Sequence, residues 1–254
     1  MITAQQVNAL RQRTGVSMMV CKRALEEAQG DEEKAIEIMR KKGEAKAAEK
    51  KDRTMKEGIV MTKIQGEKAA IVKAICETDF VAKNEEFRAI AAHALDIALQ
   101  KGAQAALEAQ QAAIKNLFTK LGENMAIDVK VMEGEGISDY VHTNGKVGAL
   151  VDLTKADAEK GRDVAMQVTA MNPKVVTPSD VKEEDIAKER EIWKAQLVAE
   201  KKPAEILERI MQGKEKKFRE ESALMKQSFI KNGDMTVEEY LGEIKVSQFM
   251  RMGI

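Results

Sequence analysis

The chain has 254 residues, enough to bury a substantial core and to form more than one unit. Charged residues make up 33% and aromatics only 4%, which favours helices packed through aliphatic and methionine side chains over aromatic cores. Lys plus Arg and Asp plus Glu number 42 each, and no long basic tract occurs, which argues against a nucleic-acid-binding module.

Cys21 and Cys76 lie far apart in apolar settings. They read as reduced core residues of a cytoplasmic protein, not as a disulfide framework or metal site. The start, Met1-Ile2-Thr3-Ala4-Gln5-Gln6, has neither a basic nor an apolar signal region, and no run reaches the length of a membrane span. No signal peptide and no membrane partner are therefore expected.

Residues 1–43 read as a compact three-helix unit. Thr3 and Gln6 form a capping-box pattern, flanked by Ile2 and Val7 as a hydrophobic staple. Gly15 ends the first helix. Ser17 is placed to cap the second, in which Cys21, Ala24, Leu25 and Ala28 recur at helical spacing. Asp31 caps a third helix that Gly43 closes. Helical methionines are more often core than contact. Here the inward stripe is already supplied, so Met18 and Met19 are expected to face a groove or a partner.

Residues 44–57 are rich in Ala, Lys and Glu and read as a helical or loosely ordered linker. From Gly58 the period becomes strand-like. Strands over 59–64 and 69–76, joined by Gln65-Gly66-Glu67, form a β-hairpin. The next stretch is Glu77-Thr78-Asp79-Phe80-Val81-Ala82-Lys83-Asn84, a junction between strand and helix. Thr78 or Asp79 could cap the helix beginning near Glu85, with Glu85 and Glu86 suiting its positive end. Phe80 is one of only six phenylalanines. A large ring at such a junction is either a plug into the protein's own core, the commoner outcome, or an anchor for a partner.

The helix that follows carries Phe87, Ile90, Ala91, Ala94, Leu95 and Ala98 on one face. His93 beside that face reads as structural. A second helix over about 103–121 ends at Gly122, and Ile127, Val129 and Val131 mark a half-buried strand. A second hairpin spans 137–142 and 147–153 around Asn144-Gly145, a pair in which both turn positions favour positive φ. A helix over about 157–171 follows. The order of hairpin then helix thus occurs twice, which suggests two related α+β subdomains. His142 reads either as a strand-end histidine or as a residue reaching a partner.

A helix over about 180–199, a break at Lys201-Lys202-Pro203 and a helix over about 204–225 make an antiparallel pair. Leu207, Met211, Lys214, Phe218, Glu221 and Met225 follow heptad spacing with polar breaks. The narrow stripe suits a two-stranded coiled coil in solvent, with Trp193 in its seam. Thr236 and Glu239 cap a short helix, and 246–252 reads as a closing strand.

Catalytic chemistry finds little to work with. The two His and two Cys are not spaced as a ligand set, and no phosphate-binding glycine loop with Lys-Ser/Thr is present. No enzyme, no cofactor and no direct nucleotide binding are expected; a helical adaptor fits the same composition.

Several motifs along the chain resemble the elongation factor Ts family. Leu10-Arg11-Gln12-Arg13-Thr14-Gly15 with Met18-Met19 and Cys21-Lys22-Arg23-Ala24-Leu25 is similar to its L-R-x-x-T-G-x-x-M-M-x-C-K-x-A-L. Thr78-Asp79-Phe80-Val81-Ala82-Lys83-Asn84 is similar to T-D-F-V-A-[RK]-N. His142 to Val151 resembles the family's H-x-x-[GN]-[KR]-x-G-x-L-V, and Ala165-Met166 to Pro173 resembles a further family motif that opens on Ala-Met and ends on Pro. Residues 205–218 resemble the family's helical motif, and Gln227-Ser228-Phe229-Ile230 its Q-P-F-V, with Ser228 in place of proline.

The resemblance implies an α+β protein acting as a guanine-nucleotide exchange factor in translation. Its implied partner is the GTPase elongation factor Tu, bound with GDP or without nucleotide. It implies a ubiquitin-associated-like domain at 1–43, a linker at 44–57, core subdomains at 58–136 and at 137–182 with 225–254, and a protruding coiled-coil insertion at 183–224. Thr78, Asp79, Phe80 and Val81 match residues that disturb the partner's Mg²⁺ site. Arg11, Met18, Met19 and His142 match further partner contacts.

Overall fold

The computed structural model describes residues 2–49, 53–199 and 204–254. The chain divides into two units. The first comprises Met1–Met132, Thr143–Val147 and Met252–Ile254; the second comprises Glu133–His142 and Gly148–Arg251. Both mix helix and sheet, as the alternating periodicities predict.

The first unit begins with α1 (Ala4–Thr14), α2 (Met18–Glu27) and α3 (Glu32–Glu49). The capping box forms: the Gln6 amide N–H donates to Thr3 Oγ1 at 3.2 Å, and the Thr3 N–H donates to Gln6 Oε1 at 2.9 Å. Gly15 takes the left-handed conformation at φ +67° and its N–H bonds the Arg11 carbonyl. Ser17 stands at the start of α2 but makes no side-chain cap. Leu10, Cys21, Leu25, Ala35 and Met39 close one core.

Gly43 does not end α3, contrary to the sequence expectation. It is buried within the helix, and a Cβ there would lie 2.6 Å from Thr119 Oγ1. The glycine thus permits close approach to a neighbouring helix instead of a stop. The predicted linker accordingly starts as helix, and residues 50–52 lie outside the described residues.

β1 (Glu57–Gln65) and β2 (Lys68–Cys76) pair antiparallel, from Glu57 opposite Cys76 to Gln65 opposite Lys68. Gly66 turns the hairpin at φ +61°. β3 (Met125–Glu133) lies on the other side of β2. Then come α4 (Asp79–Ala82), α5 (Glu85–Lys101) and α6 (Ala103–Leu121). Ala70, Val72, Ala74 and Cys76 of β2 share a core with Phe87, Ala91 and Leu95 of α5, Leu117 of α6 and Val129 of β3. Residues 143–147 also belong to this unit: the Val60 N–H donates to the Gly145 carbonyl at 2.7 Å, and Lys146 pairs with Glu57 at 2.6 Å.

The second unit is built on β4 (Ile137–Val141), β5 (Val147–Leu153) and β8 (Val246–Gly253), in the order β4-β5-β8. The Asn144-Gly145 turn differs from expectation. Only Gly145 has positive φ (+68°); Asn144 instead accepts the Lys146 N–H on Oδ1 at 2.9 Å. Five residues separate the strands, so the turn is an Asx-type loop and not a two-residue hairpin. α7 (Ala158–Met171) is capped by Asp157 and ends at Asn172 in the left-handed region. Val164 and Val168 pack with Ala149, Val151, Leu224, Phe229 and Leu241.

α8 (Glu183–Ala199) and α9 (Ala204–Ser222) contact each other. Trp193 stands edge-on to Phe218 at 5.8 Å between ring centroids. Arg219 joins Glu183 at 2.6 Å and Glu215 at 3.0 Å, and Glu215 also pairs with Arg190. These pairings run antiparallel. The predicted break at 201–203 lies outside the described residues.

Sequence periodicity missed the small hairpin of β6 (Ser228–Phe229) and β7 (Asn232–Thr236), which precedes the capped helix α10 (Val237–Leu241). The fully buried Gln167 holds that hairpin: its Nε2 donates to the Ser228 carbonyl at 3.1 Å, and its Oε1 accepts the Ile230 N–H at 2.7 Å.

α7 approaches β4 through Gly161, where an added Cβ would fall 2.7 Å from Ser138 Cβ. Gly161→Ala gains about 1 kcal/mol of helix propensity and loses about 1–3 kcal/mol to overpacking. Urea denaturation is expected to show net destabilisation of about 1 kcal/mol, against the direction that propensity alone predicts.

Candidate functional site

The end of β2 delivers the chain to a single helical turn, α4, whose residues point in opposed senses. Val81 and Ala82 are buried in the first unit's core. Phe80, between Asp79 and Val81, is 81% exposed. The ring is therefore no core plug, and of the two possibilities that sequence left open, the structure leaves an outward-facing aromatic. Leaving a phenylalanine in water forgoes about 1.5–3 kcal/mol of burial.

Thr78 occupies the N-cap position of α4 yet makes no cap with its side chain. Its hydroxyl donates instead to Glu123 Oε1 at 2.8 Å, and its backbone N–H donates to Glu123 Oε2 at 3.1 Å. Glu77 reciprocates: its Oε1 accepts the Asn124 N–H at 2.8 Å, and its Oε2 faces Arg53 at 3.3 Å. The Thr78 carbonyl accepts from the Cys76 thiol at 3.2 Å. Burial, aided by Glu123 and Glu57, pushes that thiol's pKa up to about 12, so it stays protonated and able to donate.

The cap of α5 is Asn84, whose Oδ1 accepts the Phe87 N–H at 3.1 Å, and neither Thr78 nor Asp79. The signal was present in the sequence as an Asn immediately before Glu85-Glu86. Glu123 had no such signal; it sits just after Gly122, the left-handed residue that ends α6.

Asp79 pairs with Lys83 one turn on, at 2.7 Å. The hydrogen bond from Lys83 holds the exposed Asp79 carboxyl below the ordinary aspartate range, and the same bond raises Lys83.

Of the other singled-out residues, Met18 and Met19 are 53% and 58% exposed at the start of α2, outside the stripe of Cys21, Ala24 and Leu25. Arg11 is exposed on α1. His142 is exposed in the second unit, with Nδ1 3.3 Å from the Tyr140 hydroxyl. The structure thus brings Thr78, Asp79, Phe80 and Val81 together on one turn. It places Arg11, Met18 and Met19 on α1 and α2, and His142 in the other unit.

His93 is exposed and lies 3.2 Å from the buried Gln110 amide, beside a groove of about 780 Å³ lined by residues including Met39 and Ile90. Among the described residues, no group of three His, Cys, Asp or Glu is placed to hold a metal ion, and no helix is long and apolar enough to cross a membrane. Cys21 and Cys76 are both free and buried.

Fold and site together define a mixed helix-and-sheet protein that presents an aromatic ring on a tightly braced turn. Residues 77–254 match the family model described as Elongation factor TS. The elongation factor Ts of Deinococcus radiodurans is 41% identical, with 98% of each chain covered. That of Marinobacter nauticus is 43% identical over 94% of this chain and 86% of its own, and that of Clostridium botulinum is 38% identical over 99% and 92%. The chain belongs to the elongation factor Ts family of translation elongation factors.

The Asp79–Lys83 pair gives a titration test. A depressed carboxyl contributes its stabilisation at neutral pH and loses it as pH falls through the folded-state value. In Lys83→Gln, carboxyl NMR is expected to show Asp79 titrating at higher pH than in the parent protein. An unchanged midpoint would mean that Lys83 does not hold the carboxylate in solution.

Proposed function

We propose that the chain is a guanine-nucleotide exchange factor for the GTPase elongation factor Tu, acting in the cytoplasm during translation elongation. The observation that carries this reading is Phe80, 81% exposed beside the buried Val81 and Ala82. An exchange factor needs displacing groups and no catalytic ones. It must bind the nucleotide-free GTPase better than the GDP-bound form, and by linkage it then weakens GDP binding by the same factor.

On this reading Asp79 and Phe80 press on the partner near its Mg²⁺ and phosphate site, with Thr78 and Val81 fixing the turn from behind. His142 supplies a second contact near the phosphate loop. Arg11, Met18 and Met19 dock residues 1–43, a ubiquitin-associated-like domain, on the partner's nucleotide-binding domain, with 44–57 as the linker. The core is divided at 58–136 and at 137–182 with 225–254 into two related subdomains, and the coiled coil of 183–224 protrudes to steady the complex. The factor uses no cofactor and itself binds no nucleotide, nucleic acid or membrane.

Burying Phe80 on the partner contributes about 1.5–3 kcal/mol, or roughly tenfold to a hundredfold in nucleotide affinity. Stopped-flow release of a fluorescent GDP from elongation factor Tu, chased with unlabelled GDP, tests the reading. The wild-type chain is expected to accelerate release, and Phe80→Ala to lose roughly tenfold or more at saturating factor. Binding without acceleration would leave a helical adaptor and sink the exchange reading. Deleting 183–224 is expected to speed dissociation of the complex; unchanged affinity and rate would remove the coiled coil from the account.

A further inference from the structure

Thr78 sits where a threonine ordinarily caps its own helix, yet its hydroxyl is turned away to Glu123. A carboxylate that takes both the N–H and the hydroxyl of one residue fixes that residue in position and in rotation. Charge-assisted bonds of this kind are about twice as strong as neutral ones. The segment just before α4 is fastened a second time, in the reverse direction, by Glu77 accepting from Asn124. Two adjacent residues of one segment are therefore crossed with two adjacent residues of another. The crossing lies immediately before Asp79 and Phe80.

A four-residue helix has little intrinsic stability. α4 is held by the burial of Val81 and Ala82 on one side, by the exposed Asp79–Lys83 pair along the turn, and by the fastening of Thr78 on the other side. Without the fastening of Thr78, the turn could rotate about its apolar anchor and swing the exposed ring of Phe80 with it. A ring offered to a partner from a fixed position avoids the ordering cost that a mobile one incurs on binding.

We propose that Glu123 is a positioning residue: by accepting both donors of Thr78 it locks the α4 turn, and so sets where Phe80 points. It acts through Phe80 and makes no partner contact of its own. The role in exchange rests on the function proposed above, whereas the locking of α4 does not.

The two parts are tested separately. Amide hydrogen exchange in the free full-length chain reads the lock. In Glu123→Ala, amides 79–84 are expected to exchange about tenfold faster, the size that follows from losing a charge-assisted pair, with the amides of α5 and β2 unchanged. Glu123→Gln, which keeps one acceptor oxygen and the side-chain volume, is expected to fall between; it also serves if the alanine variant unfolds. Unchanged exchange at 79–84 in the Gln and Ala variants would overturn the proposal whatever the protein's function.

The fluorescent-GDP assay with elongation factor Tu reads the consequence. Glu123→Ala is expected to lower the saturating release rate more than it raises the half-saturating concentration. In the Phe80→Ala background it should add no further loss, since a residue that acts through the ring has nothing left to position. Losses that multiply in the double variant would show an independent role for Glu123 and sink the positioning account. If Phe80→Ala itself leaves release unchanged, the exchange reading fails, and the hydrogen-exchange result alone decides the lock.

Discussion

The burial of β2 is the constraint on which the first unit depends. Ala70, Val72, Ala74 and Cys76 are all fully enclosed, and their faces meet Phe87, Ala91 and Leu95 of α5. Such a strand cannot slip by one residue without exchanging its core face for the opposite one. Its end at Cys76 is therefore fixed, and so is the position of every residue in the short passage to α5. The passage has room for one helical turn, and the core takes two of its side chains. What remains, Asp79 and Phe80, faces out because the strand before it and the helix after it are already committed.

That arrangement carries a stability cost which the surrounding bonds offset. Phe80 contributes little burial, and Asp79 and Lys83 form a solvent-exposed pair that water and salt screen. The compensation lies behind the turn, in the half-buried Glu123 and Glu77 carboxylates that accept backbone donors. An unpartnered backbone N–H there would cost about 1–3 kcal/mol. Both carboxylates are supplied with donors by the very segment they hold, so neither end of the brace is left wanting.

Local rules were legible in the sequence where the chemistry is local. The Thr3–Gln6 and Thr236–Glu239 boxes, the Gly15 cap, the strand alternation and the surplus methionines at 18 and 19 all needed only a few neighbouring residues to read. Gly43 was misread because its reason lies on α6, at Thr119. Asn144 was misread because a dipeptide preference gave way to a longer loop held to β1 through Gly145. β6 went unseen because a two-residue strand has no period, β7 because Asn232-Gly233-Asp234-Met235-Thr236 carries no apolar alternation, and the side chain that organises the hairpin, Gln167, comes from α7. At the site, sequence singled out Phe80 but could not choose between plug and anchor. That choice depends on whether the core has space left after Val81 and Ala82, which is a tertiary question. Glu123 was invisible for the same reason: a glutamate after a helix end is ordinary until its partner, Thr78, is seen across the fold.

The energetics bound what one ring can do in the proposed role. A tenfold to hundredfold bias from Phe80 shifts a nucleotide equilibrium appreciably, but a partner that must move from almost wholly GDP-bound to almost wholly empty requires about 5.5 kcal/mol of differential affinity. The difference has to come from contacts made only in the nucleotide-free state. Surfaces that bind both states alike add affinity without adding bias. On the proposed reading, Met18 and Met19, flexible and polarizable, suit the task of holding the partner in both states. A braced aromatic suits the task of separating the two states, since a rigid group resists accommodation by the GDP-bound form and keeps its full contact only where the site has opened. Rigidity at α4 is thus worth more to an exchange factor than an additional apolar side chain, because it widens the gap between the two states instead of deepening both.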